Sequence, residues 1–165
     1  MSAGRWHDLK PRMLSAAVML LVGAVEIWLG GPPFLALVLL LVGLMIWELA
    51  RLSAPAAQAM APAVALLAGL SLLGAERGQV PLWVAGVLLV LPSLLLLFTA
   101  RRDRLIVAGY ALALMVGGHG LFILRHEAGK AAILWVVGIV IASDVAGYFA
   151  GRLIGGITYD ELEPH

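Results

Sequence analysis

The chain has 165 residues, of which 62% are apolar and 13% charged, with a net charge of +1 and a mean hydropathy of +1.02. A soluble domain has about 45–50% apolar and about 25% charged residues, so this composition excludes a nucleic-acid binder, a disordered tail and a water-soluble enzyme with a polar surface. The chain has no cysteine, which removes thiol catalysis, disulfides and cysteine-ligated metals.

Six apolar stretches follow one another, at about 13–30, 33–50, 57–74, 81–100, 105–124 and 131–154, each closed by charges, Gly or Pro. A membrane-spanning helix takes roughly 20 residues, so six use about 120 and leave about 45 for every loop and end. The stretches are too long for strands and show no period-2 alternation, which leaves an α-helical bundle as the spanning solution. The sequence therefore predicts an all-α integral membrane bundle of about six transmembrane helices. It forms one transmembrane domain over 1–156 with a short polar tail at 157–165. The first stretch follows Arg5, Lys10 and Arg12 like a signal peptide, but it carries Glu26 and Trp28 and ends in Gly30-Gly31-Pro32-Pro33, so a retained span is expected. The third is the weakest, diluted by Ala, Pro62 and Gln58. Pro92 is expected to kink the fourth.

Loop charges set the expected topology. With the N-terminus inside, Arg5, Lys10, Arg12, Arg51, Arg101, Arg102, Arg104 and Arg152 are cytoplasmic, and Arg77, Arg125 and Lys130 lie opposite. This asymmetry predicts both ends in the cytoplasm. Trp28, Trp47, Trp83 and Trp135 fall near span ends, where aromatic rings favour the interface.

Ionisable groups at membrane depth cost a few kcal/mol on insertion scales and invite a reason. Glu26 and Glu48 lie near span ends and read as interfacial carboxylates, Glu48 with Arg51 at i+3 as a structural ion pair worth a few tenths of a kcal/mol. His119, in Gly117-Gly118-His119-Gly120, has no second ligand at helical spacing and reads as structural or interfacial. Asp144 stands apart. It lies about 20 Å along the last span at 1.5 Å per residue, and Gly147, Tyr148, Gly151 and Gly155 share its helix face. Gly147 and Gly151 make a small-x-x-x-small step for helix packing. The face reads either as a packing surface with one buried carboxylate, or as a cytoplasm-facing polar cavity with Asp144 at its floor and Arg152 at its mouth.

The segment from Ala142 to Gly156, with Asp144, Gly147, Tyr148, Gly151, Arg152 and Gly155 at fixed spacing, resembles the D-x-x-A/G-Y-x-x-G-R-x-x-G stretch of the phosphatidate cytidylyltransferases, or CDP-diacylglycerol synthases. Trp47-Glu48-Leu49-Ala50-Arg51 is similar to the family's short W/Y-E-x-x-R block. The resemblance implies an enzyme of phospholipid synthesis that joins CTP to phosphatidate with Mg²⁺, giving CDP-diacylglycerol and pyrophosphate. On it, Asp144 is a catalytic residue and a metal ligand, while Arg152, Tyr148 and Ser143 meet substrate. A bacterial inner membrane location is expected; the composition excludes nucleic acid as a partner, and the Gly-rich last helix allows a homodimer. The basic loop and the charged signature that follow in the family have no counterpart in the acidic tail, so a truncated, inactive relative is expected. Two other readings stand beside it: a non-enzymatic assembly protein packing through its Gly-rich last helix, and a small transporter using Asp144 and His119.

Overall fold

The computed structural model describes residues 9–53, 55–76, 80–99 and 103–154. Among them are six α-helices and no strand: α1 (Leu9–Leu29), α2 (Gly31–Ser53), α3 (Ala61–Glu76), α4 (Leu82–Thr99), α5 (Arg104–Glu127) and α6 (Gly129–Ile154), with a 3₁₀ turn at Pro55–Met60 before α3. The expected all-helical architecture is observed. Five helical stretches are long and apolar enough to cross a membrane: Gly31–Ser53, Gln58–Glu76, Leu82–Thr99, Arg104–Glu127 and Gly129–Gly151. The third stretch, the weakest in sequence, reaches 19 residues because the end of the 3₁₀ turn extends it. In α1 the apolar part among the described residues, Val18–Leu29, is shorter.

The breaks are local and chemical. Gly30 and Gly31 hold φ of 66° and 54°, the left-handed region in which a side chain is strained. Gly30 N–H closes α1 on the Glu26 carbonyl at 2.9 Å, and Pro32 and Pro33 fall in the first turn of α2, where their missing N–H groups cost nothing. Two helices thus join through one residue. α4 continues through Pro92, which is fully buried, and the hydroxyl of the adjacent Ser93 is buried without a hydrogen-bond partner. The proline withdraws one N–H from the helix ladder, and the neighbouring hydroxyl makes no use of what is freed.

α2, α3, α4 and α5 form the core. α2 contributes Phe34, Val38, Val42, Ile46 and Ala50, one residue every turn, and α5 contributes Val107, Ala111, Met115 and Gly118. Gly118 is the tightest contact. A Cβ there would stand 2.7 Å from Val42 Cγ2 and 3.2 Å from Leu72 Cδ2, so the α5 backbone lies directly against α2 and α3. In a bilayer, lipid tails are as apolar as leucine, so close packing of this kind, not exclusion of water, holds helices together. α6 packs on α5 and lightly on α1, burying Ile133 near its start. From Leu134 to Gly151 every residue is exposed except half-buried Val137.

Candidate functional site

The helices run alternately up and down. The C-terminal ends of α1, α3 and α5 therefore share one end of the bundle with the N-terminal end of α6, while Glu48, Arg51 and the C-terminal half of α6 belong to the other.

The resemblance-derived residues lie on the second half of α6. Ser143, Asp144, Gly147, Tyr148 and Gly151 are all exposed. The Ser143 hydroxyl donates to the Val140 carbonyl at 3.2 Å, a local bond that turns it along its own helix. The Tyr148 ring meets Phe149 edge-on, with centroids 5.7 Å apart and planes at 76°. A Cβ on Gly147 or Gly151 would meet nothing within 4 Å, so neither packs against another helix of this chain. A 510 Å³ surface depression along α6 is lined by Ala131, Leu134, Trp135, Gly138, Ile139 and Ala142 and stops short of Asp144. The Arg152 side chain and Gly155 lie outside the described residues, as does the 157–165 tail.

Asp144 is one carboxylate, and among the described residues no group of three His, Cys, Asp or Glu is placed to hold a metal. Magnesium bound by protein uses one or two carboxylates, with waters and substrate phosphates completing an octahedron. Around Asp144 the described residues offer one such donor and do not make a magnesium site by themselves.

Glu48 and Arg51 stand 3.6 Å apart on α2, both about half exposed. The guanidinium carbon also lies 5.3 Å from the centroid of the Trp47 ring. An exposed pair of this kind is worth little in itself.

At the opposite end the structure brings together groups that the sequence leaves apart. His119 Nδ1 and Glu76 Oε1 are 2.5 Å apart, joining α5 to the last residue of α3 across 43 positions. The Glu76 side chain is 3% exposed and that of His119 is 20% exposed. His119 is thus a paired residue, not an isolated one. A 280 Å³ cavity beside the pair is also lined by His126 and Glu127, which meet each other at 3.3 Å. Sequence reading missed Glu76. Its signal was that it closes the third stretch on the same side of the bundle where His119 ends the fifth. Glu26 also differs from an interfacial carboxylate with its head in water: Oε2 is buried with no hydrogen-bond partner. Beside it, Arg125 Nε donates to the Ile27 carbonyl at 3.1 Å, and Lys130 Nζ sits 3.5 Å from the centroid of the Trp28 ring. Two cations from the α5–α6 junction thereby meet the C-terminal turn of α1, where carbonyls are unpaired and the helix dipole is negative.

These helices, with their apolar outer faces and polar groups gathered at the ends, define an integral membrane protein. The profile of the Cytidylyltransferase family matches residues 10–159, nearly the whole chain. The chain belongs to that family. It is similar to the phosphatidate cytidylyltransferase of Helicobacter pylori strain ATCC 700392 / 26695, with 36% identity over 50 residues, 30% of this chain and 19% of that protein. The phosphatidate cytidylyltransferase of H. pylori strain J99 / ATCC 700824 matches with the same identity and coverage. The matched stretch therefore spans about a fifth of these relatives. No solved structure matches the chain.

Proposed function

We propose that this chain acts as a phosphatidate cytidylyltransferase of phospholipid synthesis. The family match, which runs unbroken through the Asp144 stretch, carries this reading. In the reaction a phosphatidate oxygen attacks the α-phosphorus of CTP, and the bond to the β-phosphate breaks to release pyrophosphate. Both partners are polyanions, so the protein's task is positioning and charge screening rather than supplying a nucleophile.

On this reading Asp144 organises polar groups beside the reacting phosphates, Arg152 binds phosphate, and Ser143 and Tyr148 shape the place where the headgroup sits. Their support is exposure: Ser143, Asp144 and Tyr148 are uncovered on α6, open to a lipid headgroup arriving from the side. Mg²⁺ belongs to the proposal as an ion held chiefly by the nucleotide's phosphate oxygens. Eight of the eleven Lys and Arg fall on the side of the N-terminus, which supports a cytoplasmic N-terminus and a cytoplasmic reaction. One carboxylate and one arginine are a thin set for two polyanions, so low turnover is part of the reading.

Purified chain in detergent–phosphatidate micelles with labelled CTP and Mg²⁺ tests it. The expected result is slow CDP-diacylglycerol formation that falls to background in Asp144→Asn. Robust formation that survives Asp144→Asn overturns the assignment of the site, and an absence of both product and CTP binding overturns the enzymatic reading. The uncovered α6 face, with open space beside Gly147 and Gly151, favours a second reading, assembly through α6 as a homodimer or with another membrane protein. A strictly monomeric chain that tolerates Gly151→Leu in native-membrane crosslinking removes it.

A further inference from the structure

Between α2 and α3 an open groove of 620 Å³ runs along the outer surface of the bundle. Ala36 and Gly43 of α2 and Ala65 and Gly69 of α3 form its floor, and leucines of both helices form its walls. The groove exists because small residues face one another here. A Cβ on Gly69 would meet nothing within 4 Å, and one on Gly43 would only touch the Ala65 carbonyl at 3.8 Å. From Ala36 to Trp47, eleven steps of 1.5 Å give a length of about 16 Å. Half of the roughly 30 Å hydrocarbon core is about 15 Å, so the groove is as long as one leaflet is deep.

One end carries polar chemistry. There Trp47 lines the groove beside Pro62, and Arg51, one turn further along α2, lies against the Trp47 ring. An aromatic ring and a cation at the end of a leaflet-deep apolar channel match the build of a phospholipid, whose chain is apolar and whose phosphate sits at the interface. Arg51 already has Glu48 3.6 Å away, but an exposed pair is weak, and a guanidinium takes phosphate oxygens bidentately.

We propose that this groove is a binding site for one glycerophospholipid, its acyl chain lying along Gly43 and Gly69 and its phosphate held by Arg51. The site is separate from the proposed reaction, because it lies on α2 and α3 and not on α6, and it stands whether or not the chain turns over CTP.

The test is native mass spectrometry of the full chain, released from a nonionic detergent after exposure to dioleoyl phosphatidylglycerol or dioleoyl phosphatidylcholine. The wild-type chain is expected to retain one lipid, with phosphatidylglycerol preferred. Gly69→Leu adds bulk to the groove from a position whose Cβ meets nothing within 4 Å. It is expected to lower retention of both lipids at least about tenfold, the loss of contact with a few methylenes. Arg51→Gln is expected to abolish the headgroup preference while chain retention persists. Gly86→Leu is the control, because a Cβ on Gly86 also meets nothing within 4 Å but the residue lies on α4, outside the groove. Retention unchanged by Gly69→Leu overturns the proposal. So does an equal loss in Gly86→Leu, which would mark ordinary boundary lipid. A lipid-free dimer dissociated by Gly69→Leu also overturns it, and would give the groove to a second copy of the chain.

Discussion

α3 and α6 are built from much the same residues and end in different surroundings. A third of the most apolar stretch ending α3 is buried, 33%, against 6% for α6. In a soluble protein an apolar helix left uncovered would be an anomaly. In a bilayer, apolarity states only that a segment prefers lipid to water, and burial is decided by small residues that let backbones approach. α3 lies against an α5 glycine that has no room for a side chain, whereas the α6 glycines face open space. The same residue type therefore marks a closed contact where α5 meets α3 and an unfilled surface on α6.

Glycine substitutions break this comparison most directly. Gly118→Leu is expected to destabilise the bundle by about 3 kcal/mol, the upper end of the usual overpacking penalty, because Val42 and Leu72 cannot both retreat. Gly147→Leu on α6 is expected to leave thermal unfolding in detergent unchanged. A Gly118→Leu protein that melts like wild type would show that α5 does not lie against α2 as described. Gly30→Ala comes next, at about 2 kcal/mol. Its φ of 66° strains any side chain, and the new Cβ would collide with the Arg125 guanidinium. Pairing it with Arg125→Ala relieves the collision but leaves the strain, so the double variant should recover only part of the loss.

His119→Ala is expected to cost about 1–2 kcal/mol, because it leaves the buried Glu76 carboxyl without its partner. Adding Glu76→Leu should return most of that, since removing both members of a buried polar pair is far milder than removing one. A double variant less stable than the single one would refute the pairing. Asp144→Asn belongs at the bottom of the scale, within about 0.5 kcal/mol of wild type in unfolding, because the residue is exposed. A large stability loss there would mean that α6 is covered by another chain or copy under the conditions of the measurement.

Each described α-helix was legible in the sequence as an apolar stretch, because run length and the Gly, Pro and charge breaks are local signals; the 3₁₀ turn at Pro55–Met60, which overlaps the third stretch, was not. Gly30-Gly31-Pro32-Pro33 shows this well: the residues that ended the first stretch also hold the left-handed turn. Helix pairing was not legible. A helix apolar on all sides carries no stripe to say which face meets a neighbour, so nothing local distinguished Gly118, packed against three side chains, from Gly117 and Gly120, which face open space. The Glu76–His119 pair was hidden for the related reason that its members are 43 residues apart and each looks ordinary in its own segment. The Asp144 stretch was visible as a pattern, and the structure adds that its described part, from Ala142 to Gly151, is uncovered.

The bond from Arg125 to the Ile27 carbonyl joins residues 98 positions apart, and this has a consequence in time. Chains are synthesised at roughly 5–20 residues per second, so roughly 5–20 seconds separate the making of α1 from the making of the arginine that ties down its end. During that interval the last turn of the first helix lacks this bond, which can form only once the fifth helix has been made.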